Sequence, residues 1–261
     1  MKNMSFDRLV DVVATLRSDN GCPWDLAQTH ESLKTDLIEE AYELIEAIDT
    51  KVPKKICDEL GDLLMQVMLH SQIATDRNEF SVDNVIENLT EKLIRRHPHV
   101  FGSVVANDEN EVLKNWEEIK RNEDGNKERK SSLDGIPHSL PSLQRAEKIQ
   151  KKASRVGFDW NQTEDVLPKL QEEIGEIEES IRNNDITEIE MEIGDLLFSV
   201  VNLCRFLNVQ PEEALRKSTR KFVDRFQRVE ATLERNDKTF GDYDLSKLDQ
   251  IWEQVKLQEK T

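Results

Sequence analysis

Carboxylate side chains recur at helical spacing in four short segments of this sequence. Two segments carry the pattern EExxE, at residues 39–43 and 172–176, and each is followed by ExxD, at residues 59–62 and 192–195. Residues three and four positions apart lie on the same face of an α-helix. Each pair of segments can therefore bring several carboxylates together, as a binding site for a cation requires.

Each EExxE segment places two of its glutamates beside an apolar stripe. At about 100° per residue, the apolar side chains of residues 37–48 share one face of a predicted helix, and those of residues 170–181 do the same. The glutamates that border these stripes are Glu40, Glu43, Glu173 and Glu176. Glu172, the first glutamate of its motif, faces away from the stripe.

The segment from Glu192 to Leu207 is apolar on almost every side, so we expect the helix to be buried. A narrow polar strip nevertheless runs along it. The strip consists of Glu192, Asp195, Ser199 and Asn202, and its counterpart in the earlier segment consists of Glu59, Asp62, Gln66 and His70. Buried carboxylates are costly unless they are paired or bind a cation, and this helix has no Lys or Arg before Arg205. The pattern therefore predicts a bound cation.

Ligand chemistry indicates which cation. Carboxylate oxygens suit hard cations such as Mg²⁺, with Mn²⁺ as a substitute, and leave positions for water and phosphate oxygens. A dinuclear iron site in a helical bundle would need ExxH pairs, which the five histidines of this chain do not provide.

A basic segment could supply the opposite charge. Residues 214–229 contain six Lys or Arg and a single acid in an otherwise acidic chain. Lys221 and Arg225, four positions apart, could bind a polyphosphate opposite the cation. The alternative is an ordinary solvated basic face. Phosphate-ester attack by water needs neutralised oxygens, which a metal ion, Lys and Arg can provide.

These motifs belong to a sequence in which the same series of segments occurs twice. Residues 170–181 are similar to residues 37–48, and residues 192–200 are similar to residues 59–67, both at an offset of 133. Three further blocks recur in the same order at offsets of 129 to 136, which indicates a tandem duplication. A polar segment without apolar periodicity separates the copies. We therefore predict domains at 1–120 and 136–261, with a linker at 121–135.

Composition predicts an all-α protein made of two helical bundles. Gly (9) and Pro (7) are scarce among 261 residues, and 34% of the residues are charged. The predicted helices cover about residues 30–50, 55–77, 82–97 and 109–121 in the first copy and 163–183, 186–207, 211–236 and 245–259 in the second. A helix that is apolar on every side needs more cover than one short bundle supplies, so we predict a homodimer.

Charge and cysteine content exclude several classes of protein. A net charge of −17 argues against binding to nucleic acid polymers or anionic membranes. The three cysteines are widely spaced, without a disulfide framework or a CxxC knuckle, which fits a reducing compartment. Neither a signal peptide nor a run of 18 uncharged apolar residues is present. We expect a soluble cytoplasmic protein.

Several longer strings resemble one family. GCPWD at 21–25, RRHPHVF at 95–101, the string from 133 to 160 and the closing IWEQVK accompany the EExxE and ExxD pairs. Together they resemble the two-domain bacterial MazG type of the all-α nucleoside triphosphate pyrophosphohydrolases. The resemblance implies a helical bundle in each half, a dimer formed through those bundles, and water attack at the α-phosphorus of an NTP or dNTP. The products would be an NMP or dNMP and pyrophosphate.

The resemblance also implies roles for individual residues. The positions that match Mg²⁺ ligands are Glu173, Glu176, Glu192 and Asp195, with Glu40, Glu43, Glu59 and Asp62 as their partners in the first copy. The positions that match the nucleotide-lining residues are Lys169, Lys221, Arg225 and Trp252. Glu172 is a candidate to orient or deprotonate the attacking water, although its predicted face points away. Asn202, on the polar strip, is a candidate to bind a sugar or base.

The two copies differ around the shared carboxylates, and we predict that the second performs the chemistry. Asp36 stands at the position of Lys169, and Leu69 at that of Asn202. The basic helix continues beyond Arg225, whereas Pro98 ends its counterpart. Members of the resembled family are likewise held to work chiefly through the second domain.

Two other functions are compatible with the sequence. One is a narrower house-cleaning pyrophosphatase for dUTP or aberrant nucleotides, which the pocket-lining residues would decide. The other is a catalytically silent acidic helical scaffold that binds a partner protein, which exposed Glu-rich faces favour and buried paired carboxylates oppose.

Overall fold

The computed structural model describes residues 4–123 and 131–259, which contain α-helices and short 3₁₀ turns but no strand. The predicted all-α class is confirmed. The chain divides into two compact units, residues 1–127 and 128–261. The predicted limits of the two domains and the linker stay a prediction, because the division falls among residues 124–130, outside the described residues.

Seven helices form the described part of the first unit. They are α1 (Met4–Leu16), α2 (Pro23–Ala27), α3 (Lys34–Thr50), α4 (Pro53–Asp76), α5 (Val82–Arg96), α6 (Pro98–Phe101) and α7 (Glu109–Asn122). Helices α3 and α4 form a hairpin: Lys51 adopts a left-handed conformation (φ 56°) and Pro53 begins the next helix. Proline suits the first position of a helix because the amide hydrogen it lacks would have no partner there. The hairpin sets the EExxE segment of α3 beside the ExxD segment of α4.

Five helices form the described part of the second unit. They are α8 (Ser142–Ser154), α9 (Val166–Asn183), α10 (Ile186–Phe206), α11 (Pro211–Arg235) and α12 (Leu245–Gln258). The α9–α10 hairpin is built like its counterpart, with Asn184 left-handed (φ 54°) at the end of α9. The carboxylate of Asp185 then accepts hydrogen bonds from the backbone amides of Thr187 and Glu188 and caps α10.

The eight predicted helices are present, and the largest differences lie at two N-termini. Helix α3 begins at Lys34 rather than at residue 30, because Thr29 and Ser32 bond to each other's backbone amides in a turn that competes with the helix. Helix α9 begins at Val166, after a 3₁₀ turn at Thr163–Asp165. Across residues 4–123 and 131–259, every helix is too short or too polar to span a lipid bilayer.

Each unit has its own small apolar core. The buried core of the first unit consists of Val13, Leu33, Met68, Leu69 and Ile73. That of the second, at the α11–α12 contact, consists of Val229, Leu233, Ile251 and Val255, with Tyr243, Leu248 and Trp252 packed against it. The second core fixes how α12 lies along α11.

The prediction that α10 is buried on every side is wrong for the single chain. Ser199, Val201 and Asn202 are buried on its inner face. Its opposite face carries Leu197 and Val200, whose exposed fractions are 51% and 40%. The reason is that in the single chain this helix packs mainly against α9 and α8, with fewer contacts to α11, and part of its surface stays uncovered.

Replacing Leu69 with alanine should lower the free energy of unfolding of the first unit by about 2–5 kcal/mol, the usual range for a buried leucine. Leu69 is 2% exposed, whereas Leu89 in α5 is 52% exposed. The same substitution at Leu89 should cost less than about 1 kcal/mol. Urea unfolding followed by circular dichroism measures both, and equal losses would contradict the core assigned here.

Candidate metal centre

Three carboxylates converge on the α9–α10 hairpin. Glu173 from α9 and Glu192 and Asp195 from α10 each offer an oxygen, and these oxygens lie within 4.8 Å of one another. Glu173 is buried, Glu192 is half-buried and Asp195 is exposed. The cluster therefore opens to solvent on one side, where a ligand could reach it.

Glu176 belongs to the same electrostatic environment. Burial raises the pKa of Glu176, and the neighbouring charge of Glu192 raises it further. Carboxylates that repel one another in this way gain from a shared cation, since it removes the repulsion that raises their pKa values. The four residues predicted as ligands thus come from adjacent turns of two packed helices.

Lys169 is the cationic neighbour of this cluster. Its Nζ lies 2.8 Å from Oε1 of Glu173 and 2.9 Å from Oε1 of Glu172. These two contacts raise the pKa of Lys169 well above its usual range, with Glu173 contributing most. The buried carboxylate of Glu173 is therefore paired with a lysine from its own helix. Glu172 itself is exposed, and its predicted role toward water stays a prediction.

The first unit contains a related but different cluster. Carboxylate oxygens of Glu40, Glu43 and Glu59 lie within 4.8 Å of one another. Burial raises the pKa of both Glu40 and Glu59, and the charge of Asp62 raises them further. In the first unit, the three closest carboxylates include two glutamates of α3, Glu40 and Glu43. In the second unit, they include only one glutamate of α9, Glu173. Both hairpins hold a cluster able to bind a divalent cation.

The predicted polyphosphate-binding residues form a second group, on α11 and α12. The Arg225 guanidinium is paired with Glu259 at 2.7 Å, and its central carbon lies 6.0 Å from the centre of the Trp252 ring. Lys221 lies one turn earlier on α11 and is exposed. The structure thus brings Arg225 beside Trp252 and pairs it with Glu259, a carboxylate that the sequence analysis did not single out.

Asn202 lies further along α10, at a third location. Its amide oxygen accepts hydrogen bonds from Nε (3.1 Å) and Nη2 (2.7 Å) of Arg205, whose guanidinium is also paired with Asp159. Asn202 is only 4% exposed. Its amide oxygen is therefore already engaged, and its predicted contact with a sugar or base stays a prediction.

Sequence reasoning missed two partners that the repeat could have revealed. Glu123 and Glu259 each stand seven residues after a tryptophan, Trp116 or Trp252, at the offset of 136 that relates those tryptophans. Each pairs with an arginine of the preceding long helix. Aligning the two copies beyond the tryptophan would have drawn attention to both. The 2.7 Å contact between Nδ1 of His30 and Nδ1 of His70 had no comparable signal.

Comparison with known families identifies the family to which the two carboxylate hairpins belong. The profile of the MazG nucleotide pyrophosphohydrolase domain matches residues 28–101 and 161–229, which contain the two carboxylate hairpins. The chain belongs to the MazG family. The resemblance inferred from the motifs is thereby confirmed, as is the presence of two copies.

Relatives match this chain over almost its whole length. The nucleoside triphosphate pyrophosphohydrolase/pyrophosphatase MazG of Thermotoga maritima is 50% identical over 98% of this chain and 97% of its own. The nucleoside triphosphate pyrophosphohydrolase of Escherichia coli is 42% identical over 97% of both chains. The uncharacterized protein YabN of Bacillus subtilis is 44% identical over 98% of this chain and 52% of its own.

Proposed function

We propose that this protein hydrolyses nucleoside triphosphates and deoxynucleoside triphosphates to the monophosphate and pyrophosphate, with Mg²⁺ as its cofactor. Its second unit would perform the reaction. The observation that carries the proposal is the convergence of Glu173, Glu192 and Asp195 beside Lys169, in a chain of the MazG family. The family and the names of near-full-length relatives support an enzyme over a silent scaffold.

The donor set fits the proposed metal. All the converging ligands are carboxylate oxygens, which are what Mg²⁺ and Mn²⁺ prefer, and the exposed side of Asp195 leaves room for phosphate oxygens. Glu173, Glu176, Glu192 and Asp195 would hold the ion. When bound, such an ion neutralises phosphate charge and polarises the phosphorus toward attack.

The remaining residues would bind and orient the substrate. Lys169 already carries a proton and can exchange its carboxylate partners for phosphate oxygens. Lys221 and Arg225 would bind the polyphosphate, and Trp252 would contact the nucleoside. Glu172, exposed beside Lys169, would hold the attacking water, because a carboxylate there can accept a hydrogen bond from it.

We also infer a homodimer formed through the helical hairpins. The outer face of α10 exposes Ile193, Leu197 and Val200 in the single chain. The hairpin helices of the first unit likewise expose Ile38, Leu60 and Met65. Apolar faces of this extent are typical of surfaces buried between subunits. Sedimentation of a monomer at micromolar concentration would contradict this inference.

Product analysis with ATP tests the proposed cleavage site. AMP and pyrophosphate are the expected products in the presence of Mg²⁺. Formation of ADP and phosphate would refute attack at the α-phosphorus. The same assay with a panel of NTPs and dNTPs, including dUTP and oxidised nucleotides, would measure base preference and thereby test the narrower alternative.

Stabilisation by Mg²⁺ should depend on pH. The pKa values of Glu40, Glu59 and Glu176 are raised above 4.5, so the folded protein holds these protons more tightly than the unfolded chain. Without metal, these groups favour the folded state increasingly as pH falls through their raised pKa values. Mg²⁺ needs the ionised form, so its stabilisation should shrink over the same range.

Thermal unfolding with and without Mg²⁺, at several pH values above 4.5, measures this effect. We expect Mg²⁺ to raise the midpoint at pH 7 and to raise it less as the pH falls. A shift of equal size at every pH would show that the cation binds elsewhere.

A further inference from the structure

Glu259, the residue that follows α12, pairs with Arg225 in the middle of α11 and also lies 3.7 Å from Arg228. The Nε of Arg225 donates hydrogen bonds to Oε1 (3.2 Å) and Oε2 (3.1 Å) of Glu259, and its Nη2 donates to Oε2 (2.7 Å). The side chains of Arg225 and Glu259 are only 18% and 25% exposed. A pair that is side-on and largely shielded from water fixes the plane of the guanidinium.

The contact uses one edge of the guanidinium and leaves another available. A guanidinium has five N–H donors, and the bonds to Glu259 use those on Nε and Nη2. The two N–H groups of Nη1 point to a different side. Trp252 lies beside the same guanidinium, 6.0 Å from its central carbon, and Phe222 packs on Trp252 with ring centres 5.1 Å apart. The arginine is therefore held by a carboxylate and bordered by an aromatic ring.

The first unit contains a related arrangement, in which Glu123 also accepts hydrogen bonds from Arg95. Nε and Nη2 of Arg96 donate to Glu123 at 2.9 and 2.5 Å, and the guanidinium carbon lies 5.0 Å from the centre of the Trp116 ring. Arg96 and Arg225 stand at corresponding positions of the two copies, as do Glu123 and Glu259. The same contact can thus be broken in either unit, one of which is proposed to be catalytic.

We propose that Glu259 is a positioning residue for the substrate: it orients the guanidinium of Arg225 so that the Nη1 edge meets the polyphosphate. The proposal rests on the proposed function, in which Arg225 binds phosphate. An arginine that is already ordered loses less conformational freedom when the substrate binds. The carboxylate of Glu259 would also repel phosphate, but in the proposed arrangement the guanidinium would lie between them and shield that charge.

Replacing Glu259 with glutamine tests this role in the full-length protein. Glutamine keeps the size of the side chain but removes the charge that orders the guanidinium. We expect KM for ATP to rise about tenfold, the scale of ordering one long side chain on binding, with kcat changed less than twofold. Titration calorimetry with a non-hydrolysable ATP analogue should show the same loss in affinity. Glu123→Gln breaks the matching pair in the first unit. It should leave KM and the affinity for the analogue unchanged.

A double substitution shows whether Glu259 acts through Arg225. Once Arg225 is replaced with glutamine, adding Glu259→Gln should change KM no further. An unchanged KM in Glu259→Gln, or equal effects of Glu259→Gln and Glu123→Gln, would overturn the proposal. A lower KM would also overturn it and show that the carboxylate competes with phosphate. Failure of the wild-type protein to form AMP and pyrophosphate would instead refute the proposed function.

Discussion

Replacing Glu192 and Asp195 together with alanine is expected to lower the rate of pyrophosphate release by about a thousandfold or more, since metal-based charge stabilisation is worth several kcal/mol. The two residues supply both α10 ligands of the carboxylate cluster in the second unit. Their loss would leave only the glutamates of α9, with Glu173 paired to Lys169. Pyrophosphate release from ATP at saturating Mg²⁺ measures the effect.

The matched control is the double substitution Glu59→Ala with Asp62→Ala in the first unit. It should leave most of the activity intact, because the surroundings of that cluster do not suit a polyphosphate. Asp36 stands in the first turn of α3, where the second unit has Lys169, and adds a negative charge. Circular dichroism should show that both variants are folded. Comparable losses would mean two working sites, and loss from the first unit alone would reverse the assignment.

Replacing Lys169 with methionine is expected to lower kcat/KM for ATP by about fiftyfold, the value of one charged hydrogen bond to phosphate. The pKa of Lys169 is raised well above its usual range, so the ammonium is present at every practical assay pH. Methionine keeps most of the length and the helix propensity of lysine but removes the charge. The expected effect therefore comes from lost phosphate binding rather than from a disturbed helix.

Lys151 offers a control, since it forms a similar ion pair in the opposite order along the chain. Its Nζ lies 2.6 Å from Oε1 of Glu147, the residue four positions earlier on α8, and so also pairs with a buried glutamate. Lys151→Met should leave kcat/KM nearly unchanged, because α8 contributes nothing to the carboxylate cluster. If both substitutions lowered kcat/KM equally, the cause would be a general loss of charge rather than a contact with the substrate.

The parts of this protein that depend on local order along the chain could be predicted from the sequence. Two repeats at constant offset gave the duplication, and apolar periodicity gave the eight main helices. The carboxylate clusters followed because EExxE and ExxD occupy consecutive helices joined by short turns, Lys51 to Val52 and Asn184 to Asp185. Consecutive antiparallel helices of a hairpin must face each other, so carboxylates on their facing sides meet.

The contacts that depend on packing angles and side-chain reach became known only from the folded structure. Arg225 and Glu259 are 34 residues apart, and their pairing needs α12 to lie along α11 on the core around Val229 and Ile251. The exposed outer face of α10 could not be predicted either, because the sequence of a helix that is apolar on every side does not show which neighbours cover it. Periodicity specifies the face of each helix, whereas the partner of that face depends on how the helices pack.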